Sequence, residues 1–306
     1  MSNQQNKMYK KTTVTIGIPA HNEEANIGFL INQLLAQKQT KYKIDQIIVA
    51  SDNSTDKTVK IVKNINSPIV HVIDSKTRIG KPLRENQIKN ISKSDILVLL
   101  DADIQLDGDE FIKKVIRPIE EGADLASCRV LALNPETLVE NILNQSIIFQ
   151  DKIISKFAEG DNVYTCHGTT LVMSKKLYTS INFPNSIGED AFAYFYCRRN
   201  NFKYKFTSDA FVYIKLPTNL KDHLKQSRRF NESREMMYKE FEGYPPLETY
   251  NISAFGNLKE LIFSVFNSPI YFSLYLALNI YSRLITVKKV SRSATWDIAA
   301  SSKHLV

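Results

Sequence analysis

The stretch Ile96-Leu97-Val98-Leu99-Leu100-Asp101-Ala102-Asp103 decides the fold class of this 306-residue chain. Its first five residues are all apolar, which is typical of a strand that is covered on both faces of a sheet. Similar β-rich runs precede it and alternate with helical patterns, as in βαβ units. The runs are residues 14–19, 44–51 and 69–74, and the helical candidates are residues 23–37, 55–66 and 82–91. The sequence therefore predicts an α/β fold with a mostly parallel sheet and helices on both faces.

The composition indicates a folded protein with an anionic ligand. Hydrophobic residues make up 43% of the chain and charged residues 24%, as in globular proteins. The net charge of +8 suits nucleotide phosphates, nucleic acid or an acidic membrane surface. Because the basic residues are scattered and no zinc-finger spacing or RRM-type signature is present, we expect no nucleic acid partner.

The cysteine spacing and the first residues favour a reducing compartment. Cys128, Cys166 and Cys197 are far apart and form no C-x-x-C pair, so neither a disulfide framework nor a zinc site is indicated. Residues 1–12 are polar and are expected to be flexible, and they lack the apolar core of a secretory signal. We therefore expect the catalytic part to lie in the cytoplasm.

Two carboxylates stand directly after the apolar strand. Asp101 and Asp103 are two positions apart, and such residues project to the same side of an extended segment. Ligands of open α/β sheets bind outside the carboxyl ends of the strands. Mg²⁺ or Mn²⁺ would relieve the repulsion between the two carboxylates and could bridge a diphosphate. A solvated acidic turn is the alternative, since such triplets are frequent in turns.

Polar motifs also follow the first two predicted strands. Asp52 could accept a hydrogen bond from a nucleobase, and the carboxylate of Glu23 could hold ribose hydroxyls. Helix capping is the alternative at both places, by Ser54 or Thr55 after the second strand and by Asn22 after the first. The motifs are Ser51-Asp52-Asn53-Ser54-Thr55-Asp56 and Pro19-Ala20-His21-Asn22-Glu23-Glu24.

Together with two later motifs, these segments resemble the inverting, GT-A-fold glycosyltransferases of family 2. Chance agreement with five motifs in the same order is far rarer than agreement with any one of them. The family's P-x-[HY]-N-E, D-[DG]-S-T-D, D-A-D, [TGE]-E-D and Q-x-x-R-W are matched by residues 18–23, 52–56, 101–103, 188–190 and 226–230.

The resemblance implies a GT-A-type, Rossmann-like catalytic domain over residues 13–216. Its nucleotide-sugar half would extend to about residue 134 and its acceptor half from about residue 135. A C-terminal helical region with the Q-x-x-R-F motif would occupy residues 217–306. The implied activity is transfer of a sugar from a nucleotide diphosphate sugar to a hydroxyl with inversion, and a UDP-sugar is favoured over a GDP-sugar. The acceptor would be a glycan or a lipid-linked molecule in cell-envelope synthesis.

The resemblance also implies a role for each motif residue of the donor pocket. Asp52 would contact the nucleobase and Glu23 the ribose. Asp103, with Asp101, would hold Mg²⁺ or Mn²⁺ on the diphosphate. Further donor-pocket residues would be Pro19, His21, Lys81 and Ala102. Lys81 and Arg84 lie where the family has a basic, glycine-containing loop near the donor. An exposed helix residue is the alternative for Arg84.

On the acceptor side, Asp190 would be the base that deprotonates the hydroxyl. Gln226 and Arg229 would steady the acceptor and the pyrophosphate, because the guanidinium group of arginine binds phosphate through a planar set of donors. His167 could line the acceptor pocket or be a buried core histidine, and it stays unassigned.

The chain departs from the family's motifs at three positions. Ser51 stands where the family has an acid, and Asn53 stands where it has glycine, which leaves the nucleobase open. Phe230 replaces tryptophan and keeps an aromatic wall, but it has no indole N–H donor. Processive and single-transfer enzymes share this last motif, so both modes remain open.

Residues 261–285 are strongly apolar and predict membrane association without crossing. Asn267, Ser268 and Pro269 interrupt the segment, and Lys288, Lys289 and Arg292 follow it. We expect two short interfacial or re-entrant helices at the cytoplasmic face of a membrane. Packing of these helices on the catalytic domain is the alternative.

Two other functions compete with sugar transfer. A sugar nucleotidyltransferase would need a Gly-rich basic loop after the first strand, and residues 17–24 do not supply one. A catalytically silent, membrane-bound scaffold that binds nucleotide sugars would have no need of Asp103, Asp190 and Arg229 together.

Overall fold

The computed structural model of the chain describes residues 11–186, 188–241, 258–285, 300–303 and 305. Eight strands form one sheet in this part of the chain. The strands are β1 (Thr12–Ala20), β2 (Tyr42–Asp52), β3 (Val70–Ser75), β4 (Ile96–Leu100), β5 (Ile104–Leu106), β6 (Leu125–Ala132), β7 (Thr170–Ser174) and β8 (Tyr204–Ile214). Their order in the sheet is β3-β2-β1-β4-β7-β6-β8-β5.

Ten α-helices accompany the sheet within the described residues. The first five are α1 (Ile27–Leu35), α2 (Thr58–Asn64), α3 (Lys81–Ile91), α4 (Phe111–Glu120) and α5 (Leu138–Ile154). The others are α6 (Lys175–Ser180), α7 (Glu189–Arg199), α8 (Leu220–Glu240), α9 (Leu258–Asn267) and α10 (Pro269–Ile285).

The strand directions confirm the predicted sheet. β3, β2, β1 and β4 are parallel neighbours. β7 is antiparallel to both β4 and β6, and β8 is parallel to β6. β5 is antiparallel to β8. β7 and β5 therefore run against the other strands, which makes the sheet mixed but mostly parallel.

The predicted central strand is covered on both faces. Ile96, Val98 and Leu100 of β4 belong to one buried cluster, which also contains apolar residues of α1 and α4. Leu97 and Leu99 point to the opposite cluster, which contains residues of α3, α6 and α7. All five side chains are buried. Successive side chains of a strand alternate between faces, so a continuous apolar run is what two covering layers require.

The structure adds elements that the apolar pattern does not predict. They are β5, α4, β6 and α6. β5 has only three residues and follows Asp103 directly, so it is too short for a periodic signal. α1 begins at Ile27, later than predicted, because residues 21–26 form the loop that follows β1.

The last helices pack on α5. Phe272 and Tyr275 of α10 form a small apolar cluster with Ile142 of α5. α9 ends at Asn267 and α10 begins at Pro269, so the predicted interruption is confirmed. Of the helices that the structure describes, none combines the length and the apolar character needed to cross a membrane. Residues 1–10 and the cations Lys288, Lys289 and Arg292 lie outside the described residues.

Candidate active site

The loops that follow β1 and β2 are fastened to each other. His21 Nδ1 lies 2.7 Å from the carbonyl oxygen of Asp52. The N–H of Asn22 donates to Ser54 Oγ at 3.1 Å, and Asn22 Oδ1 accepts from the N–H of Thr55 at 2.8 Å. These contacts join the two strand ends into one rim, at which Pro19 is buried and His21 is half-buried.

The capping alternatives are wrong for both loops. The side chain of Asn22 bonds the neighbouring loop, and α1 has no side-chain cap. α2 begins at Thr58, whose N–H donates to Asp56 Oδ1 at 2.9 Å, so Ser54 and Thr55 lie too early to cap it. Asn53 has a φ of 58°, in the left-handed region that asparagine tolerates better than most residues. This conformation explains how asparagine replaces the family's glycine.

Asp52 is buried and organises the segment that leads into α3. Its Oδ1 accepts from the N–H of Ile79 at 2.8 Å and from Arg84 Nε at 2.9 Å. Its Oδ2 accepts from the N–H of Gly80 at 2.9 Å. Contact of Asp52 with a nucleobase stays a prediction, because the structure shows its carboxylate accepting three protein hydrogen bonds.

The interpretation of Arg84 as an exposed helix residue is wrong. Its side chain is 1% exposed. Besides Asp52, the guanidinium group donates to Ser75 Oγ at 2.6 Å and to the carbonyl oxygen of Thr77. A buried guanidinium group is stable only when its donors are paired, and this loop supplies the acceptors.

Glu23 is a buried carboxylate close to the predicted metal ligands. Its Oε2 accepts from Asn26 Nδ2 at 3.0 Å, and its Oε1 binds the ammonium group of Lys303. Burial and the charge of Asp103 raise the pKa of Glu23 to about 7, against the opposing effect of Lys303. Glu23, which follows β1, and Asp103, which follows β4, are therefore close enough to influence each other's protonation.

Lys81 joins the predicted metal site to the acceptor side. Its Nζ lies 2.6 Å from Asp101 Oδ1 and 2.7 Å from Glu189 Oε1, and it donates to the carbonyl oxygen of Gly168 at 2.9 Å. Burial alone would lower the pKa of Lys81, but the two carboxylates outweigh it and raise the pKa well above its usual value. The lysine is therefore charged and held in place.

Glu85 is a buried acid that sequence reasoning missed. Its carboxyl group is 3.9 Å from Lys81 Nζ, and neither oxygen has a hydrogen-bond partner among the described residues. Burial raises the pKa of Glu85 well above its usual value, although Lys81 opposes this. Burial therefore favours the protonated, neutral form of this carboxyl group. Its only signal in the sequence is a spacing of four residues from Lys81, which many surface pairs share.

Asp190 lies in the first turn of α7. Its Oδ1 accepts from the N–H of Ala191 at 2.8 Å and its Oδ2 from the N–H of Gly168 at 3.2 Å. Burial and the charge of Glu189 raise the pKa of Asp190 to about 6. Burial would also raise the pKa of Glu189, but Lys81 outweighs it and lowers this pKa. Environments that separate the pKa values of two adjacent acids are the pattern expected of an acid–base site.

Gly168 is a second residue that sequence reasoning missed. A Cβ at this position would lie 2.8 Å from Glu189 Oε1 and 3.1 Å from Lys81 Nζ. Glycine therefore lets the backbone approach the ion pair closely enough to donate to Asp190. The neighbouring His167 is partly buried, and burial lowers its pKa to about 4, so it is neutral at physiological pH.

The α8 residues lie at the margin of this cluster. Gln226 is half-buried and Arg229 is exposed, and the charge of Arg229 contributes to the lowered pKa of Glu189. Phe230 is 56% exposed, and its role as an aromatic wall stays a prediction. α8 comes very close to Gly188, since a Cβ there would lie 1.9 Å from Ser233 Oγ.

Asp101 and Asp103 fit a divalent cation that the substrate also binds. Burial and the charge of Asp101 raise the pKa of Asp103, which is the repulsion that a cation relieves. Between the two lies Ala102, which is buried. Within the described ranges, no group of three or more His, Cys, Asp or Glu residues could hold a metal by itself. Diphosphate oxygens are the natural source of the remaining ligands.

Sequence comparison places the chain among enzymes of sugar transfer. A stretch of 108 residues is 28% identical to 4,4'-diaponeurosporenoate glycosyltransferase of Staphylococcus haemolyticus, covering 34% of this chain and 28% of that enzyme. A stretch of 66 residues is 35% identical to the enzyme of the same name from Staphylococcus aureus, covering 22% of this chain and 16% of that enzyme. The matched part thus spans less than a third of these relatives.

Solved structures show the same fold at low sequence identity. Mannosyltransferase PcManGT from Pyrobaculum calidifontis, in complex with GDP-Man and Mn²⁺, aligns with a TM-score of 0.60 and 14% identity over 90% of this chain and 76% of its own. TarS residues 1–349 of S. aureus align with a TM-score of 0.54 and 20% identity over 84% and 72% of the two chains. Glucosyl-3-phosphoglycerate synthase from Mycobacterium tuberculosis, with Mn²⁺, UDP and glucosyl-3-phosphoglycerate, aligns at 0.53 and 16% over 74% and 79%.

These structures establish the α/β, GT-A-like architecture and nothing finer. The family assignment comes from the sequence. Residues 15–181, more than half of the chain, match the family described as glycosyl transferase family 2. That segment contains most of β1 and all of β2 to β7, with the loops that carry Glu23, Asp52 and Asp103. The chain belongs to glycosyl transferase family 2.

Proposed function

We propose that this chain transfers a sugar from a nucleotide diphosphate sugar to an acceptor hydroxyl, with inversion and with Mg²⁺ or Mn²⁺. The main support for this proposal is that the ammonium group of Lys81 pairs with both Asp101 and Glu189. Asp101 belongs to the predicted metal site, and Glu189 precedes the predicted base, Asp190. The two halves of the reaction therefore lie side by side at one edge of the sheet.

The donor would lie over the carboxyl ends of β1, β2 and β4. His21, Glu23 and Asp52 surround this position from two loops that are bonded to each other. Asp101 and Asp103 would hold the metal, which stabilises negative charge on the leaving diphosphate. PcManGT and the M. tuberculosis synthase were crystallised with Mn²⁺ and a nucleotide, and this supports the same cofactor here. A UDP-sugar is our preferred donor.

The acceptor hydroxyl would approach Asp190. A carboxylate with a pKa of about 6 is ionised at neutral pH and still basic enough to take a proton as the oxygen attacks the sugar. Glu189 stays ionised beside Lys81, so only one of the two acids changes its protonation state. Gln226 and Arg229 of α8 would orient the acceptor and the pyrophosphate. Inversion follows from direct attack by that oxygen on the face opposite to the diphosphate.

The two competing functions have less support. The loop after β1 folds around asparagine and histidine side chains, without the glycine-rich turn that a nucleotidyltransferase needs for its phosphates. A silent scaffold gives no reason for an acid of raised pKa beside the ion pair of Lys81.

A thermal-shift panel of UDP- and GDP-sugars, with Mn²⁺ or EDTA, tests the donor and the metal together. A ligand that binds only the native state stabilises it by about 2.7 kcal/mol at a hundredfold excess over its Kd. We expect the largest shift with a UDP-sugar and Mn²⁺. Asp103→Asn should remove the Mn²⁺-dependent part and keep the melting temperature of the free protein. Equal shifts with Mn²⁺ and EDTA would exclude the metal from donor binding.

The apolar surface of α9 and α10 supports membrane association. Phe266, Ile270 and Leu284 are 81%, 72% and 75% exposed. A cavity of about 340 Å³ beside α9 is lined mainly by cationic side chains. Its residues are Lys152, Lys156, Lys259, Glu260 and Phe263. Exposed apolar residues next to lysines favour the surface of an anionic bilayer, so we place the enzyme at the cytoplasmic face of a membrane.

Vesicle flotation tests this placement. We expect the protein to float with vesicles that contain phosphatidylglycerol, because both the apolar surface and the lysines contribute to binding. Phe266→Ser with Ile270→Ser should reduce the bound fraction several-fold. Ile91→Ser, which changes a 46% exposed isoleucine on α3, is the matched control and should float like wild type. Wild type that stays with the soluble fraction would contradict membrane association.

A further inference from the structure

Residues 300–303 and 305 lie across the candidate donor pocket. The N–H of Ser301 donates to Asp222 Oδ2 at 3.1 Å, and Ser301 Oγ accepts from the N–H of Thr218 at 3.3 Å. The bond from Ser301 is the main cause that lowers the pKa of Asp222 to about 2. The segment is therefore attached to the start of α8, the helix that carries the predicted acceptor residues.

Asn26 binds the other end of this segment. Its side chain is fully buried, and its Nδ2 donates to the carbonyl oxygen of Lys303. Its Oδ1 accepts from the N–H of Leu305 at 3.2 Å. The side-chain amide of Asn26 thus bonds the backbone of both Lys303 and Leu305. It donates to one residue and accepts from the other, as the backbone of a neighbouring strand does. Asn26 Nδ2 also donates to Glu23, so the same residue holds the segment and the predicted ribose ligand.

Lys303 extends from this attachment into the pocket. Its Nζ donates to the carbonyl oxygen of His21 at 2.8 Å and pairs with Glu23 Oε1, and its side chain is 18% exposed. Its charge also opposes the repulsion between Glu23 and Asp103. The ammonium group of Lys303 therefore partly neutralises the charges of Glu23 and Asp103. In the proposed reaction, these two acids would instead bind the nucleotide and the metal.

Lys303 and the ribose of the proposed donor would compete for one oxygen of Glu23. Oε2 already accepts one bond from Asn26, so Oε1 has the greater capacity to accept from a ribose hydroxyl once Lys303 leaves it. Lys303 holds Oε1 in this structure. We propose that residues 300–303 and 305 are an internal ligand of the donor pocket, and that a nucleotide diphosphate displaces Lys303 from Glu23. This rests on the proposed role of Glu23 at the ribose.

Hydrogen–deuterium exchange of the full chain tests the displacement. The N–H groups of Ser301 and Leu305 are bonded to Asp222 and Asn26, so their exchange should be slow in the free protein. UDP or GDP with Mn²⁺ should speed exchange in the peptide that covers residues 300–305. Unchanged or slower exchange at saturating nucleotide would overturn the proposal.

Nucleotide affinity gives an independent readout. Lys303→Met removes the competing ammonium group and should tighten UDP–Mn²⁺ binding about tenfold, the usual scale of a hydrogen bond to a charged group. Leu305→Pro keeps the lysine, removes the N–H that donates to Asn26, and should tighten binding in the same direction. Lys203→Met, which removes an exposed lysine just before β8, controls for net charge and should bind like wild type.

The outcomes separate this inference from the proposed function. If wild type and all variants fail to bind UDP or GDP, the proposed donor site is wrong. If nucleotides bind but Lys303→Met weakens their binding, Lys303 contacts the nucleotide and the displacement is wrong. Unchanged nucleotide affinity in both Lys303→Met and Leu305→Pro would also overturn the displacement. A segment that competes with the nucleotide must lower the apparent affinity of the nucleotide.

Discussion

Asp190→Asn is expected to slow sugar transfer by about 10² to 10⁴, the usual contribution of a general base. Asparagine keeps the size of the side chain, and its single carbonyl oxygen can still accept from the N–H group of Ala191, the shorter of the two bonds that Asp190 accepts. Its amide nitrogen cannot accept from Gly168, and the amide cannot take a proton from the acceptor. Donor binding and the melting temperature should stay near the wild-type values. The measurement is single-turnover transfer at saturating donor, with binding followed separately.

The same prediction has a pH signature. The pKa of Asp190 is raised to about 6, so the base is deprotonated above this pH and protonated below it. The rate of transfer should therefore be constant near pH 7.5 and fall as the pH drops through about 6. The residual rate of Asp190→Asn should lack this inflection. An identical profile in the variant would assign the titration to another group.

Asp161→Asn is the matched control for Asp190. Asp161 also contacts α7, through Tyr194 and Arg198, but it does not contact the ion pair of Lys81 in the structure. The substitution makes the same chemical change at a residue that contacts the same helix. It should leave the rate within a few-fold of wild type, and a comparable loss of activity would show that Asp190 acts through the stability of α7.

Arg84→Met is expected to destabilise the fold by about 3 to 5 kcal/mol, because it leaves a buried carboxylate without its cation. Asp52 and Arg84 are both almost fully buried, and their side chains are joined at 2.9 Å. Methionine fills much of the same volume, so lost packing contributes little. The free energy of unfolding from guanidinium chloride titration checks this prediction.

The chain offers an exposed pair of the same type as a control. Arg117 pairs with Asp209 at 2.7 Å, and the two side chains are 48% and 52% exposed. Arg117→Met should cost about 1 kcal/mol or less, because solvent screens exposed pairs. Equal losses in Arg84→Met and Arg117→Met would show that burial does not determine the contribution of the Asp52 pair.

Local hydrophobic pattern predicts the buried strands and the places where they end. The strand Ile96–Leu100 is found as predicted. Its five apolar residues indicate burial on both faces, and the aspartate that follows indicates where the strand ends. Strand ends also place Glu23, Asp52 and Asp103 at one edge of a parallel sheet. The roles of these residues, like those of Asp190, Gln226 and Arg229, stay predictions.

What the pattern cannot supply is the partner of each charged side chain. Arg84 has the spacing of a helix surface residue, and only the loop before α3 reveals that Asp52 buries it. Lys303 is 280 residues from Glu23, a separation over which no periodicity carries information. Glu85 and Gly168 are ordinary residues in sequence, and their positions become distinctive only around Lys81.

The antiparallel strand β7 has a mechanical consequence. It lies between β4 and β6, and the N–H of Asp101 donates to the carbonyl oxygen of Thr169 at 3.1 Å, next to Gly168. In the proposed mechanism, strand register would set the spacing between leaving group and nucleophile. Mutations on α8 would then change acceptor preference without altering that alignment. A one-residue insertion in β7 would reverse which side chains face each layer, and this is the kind of change that the catalytic geometry would not survive.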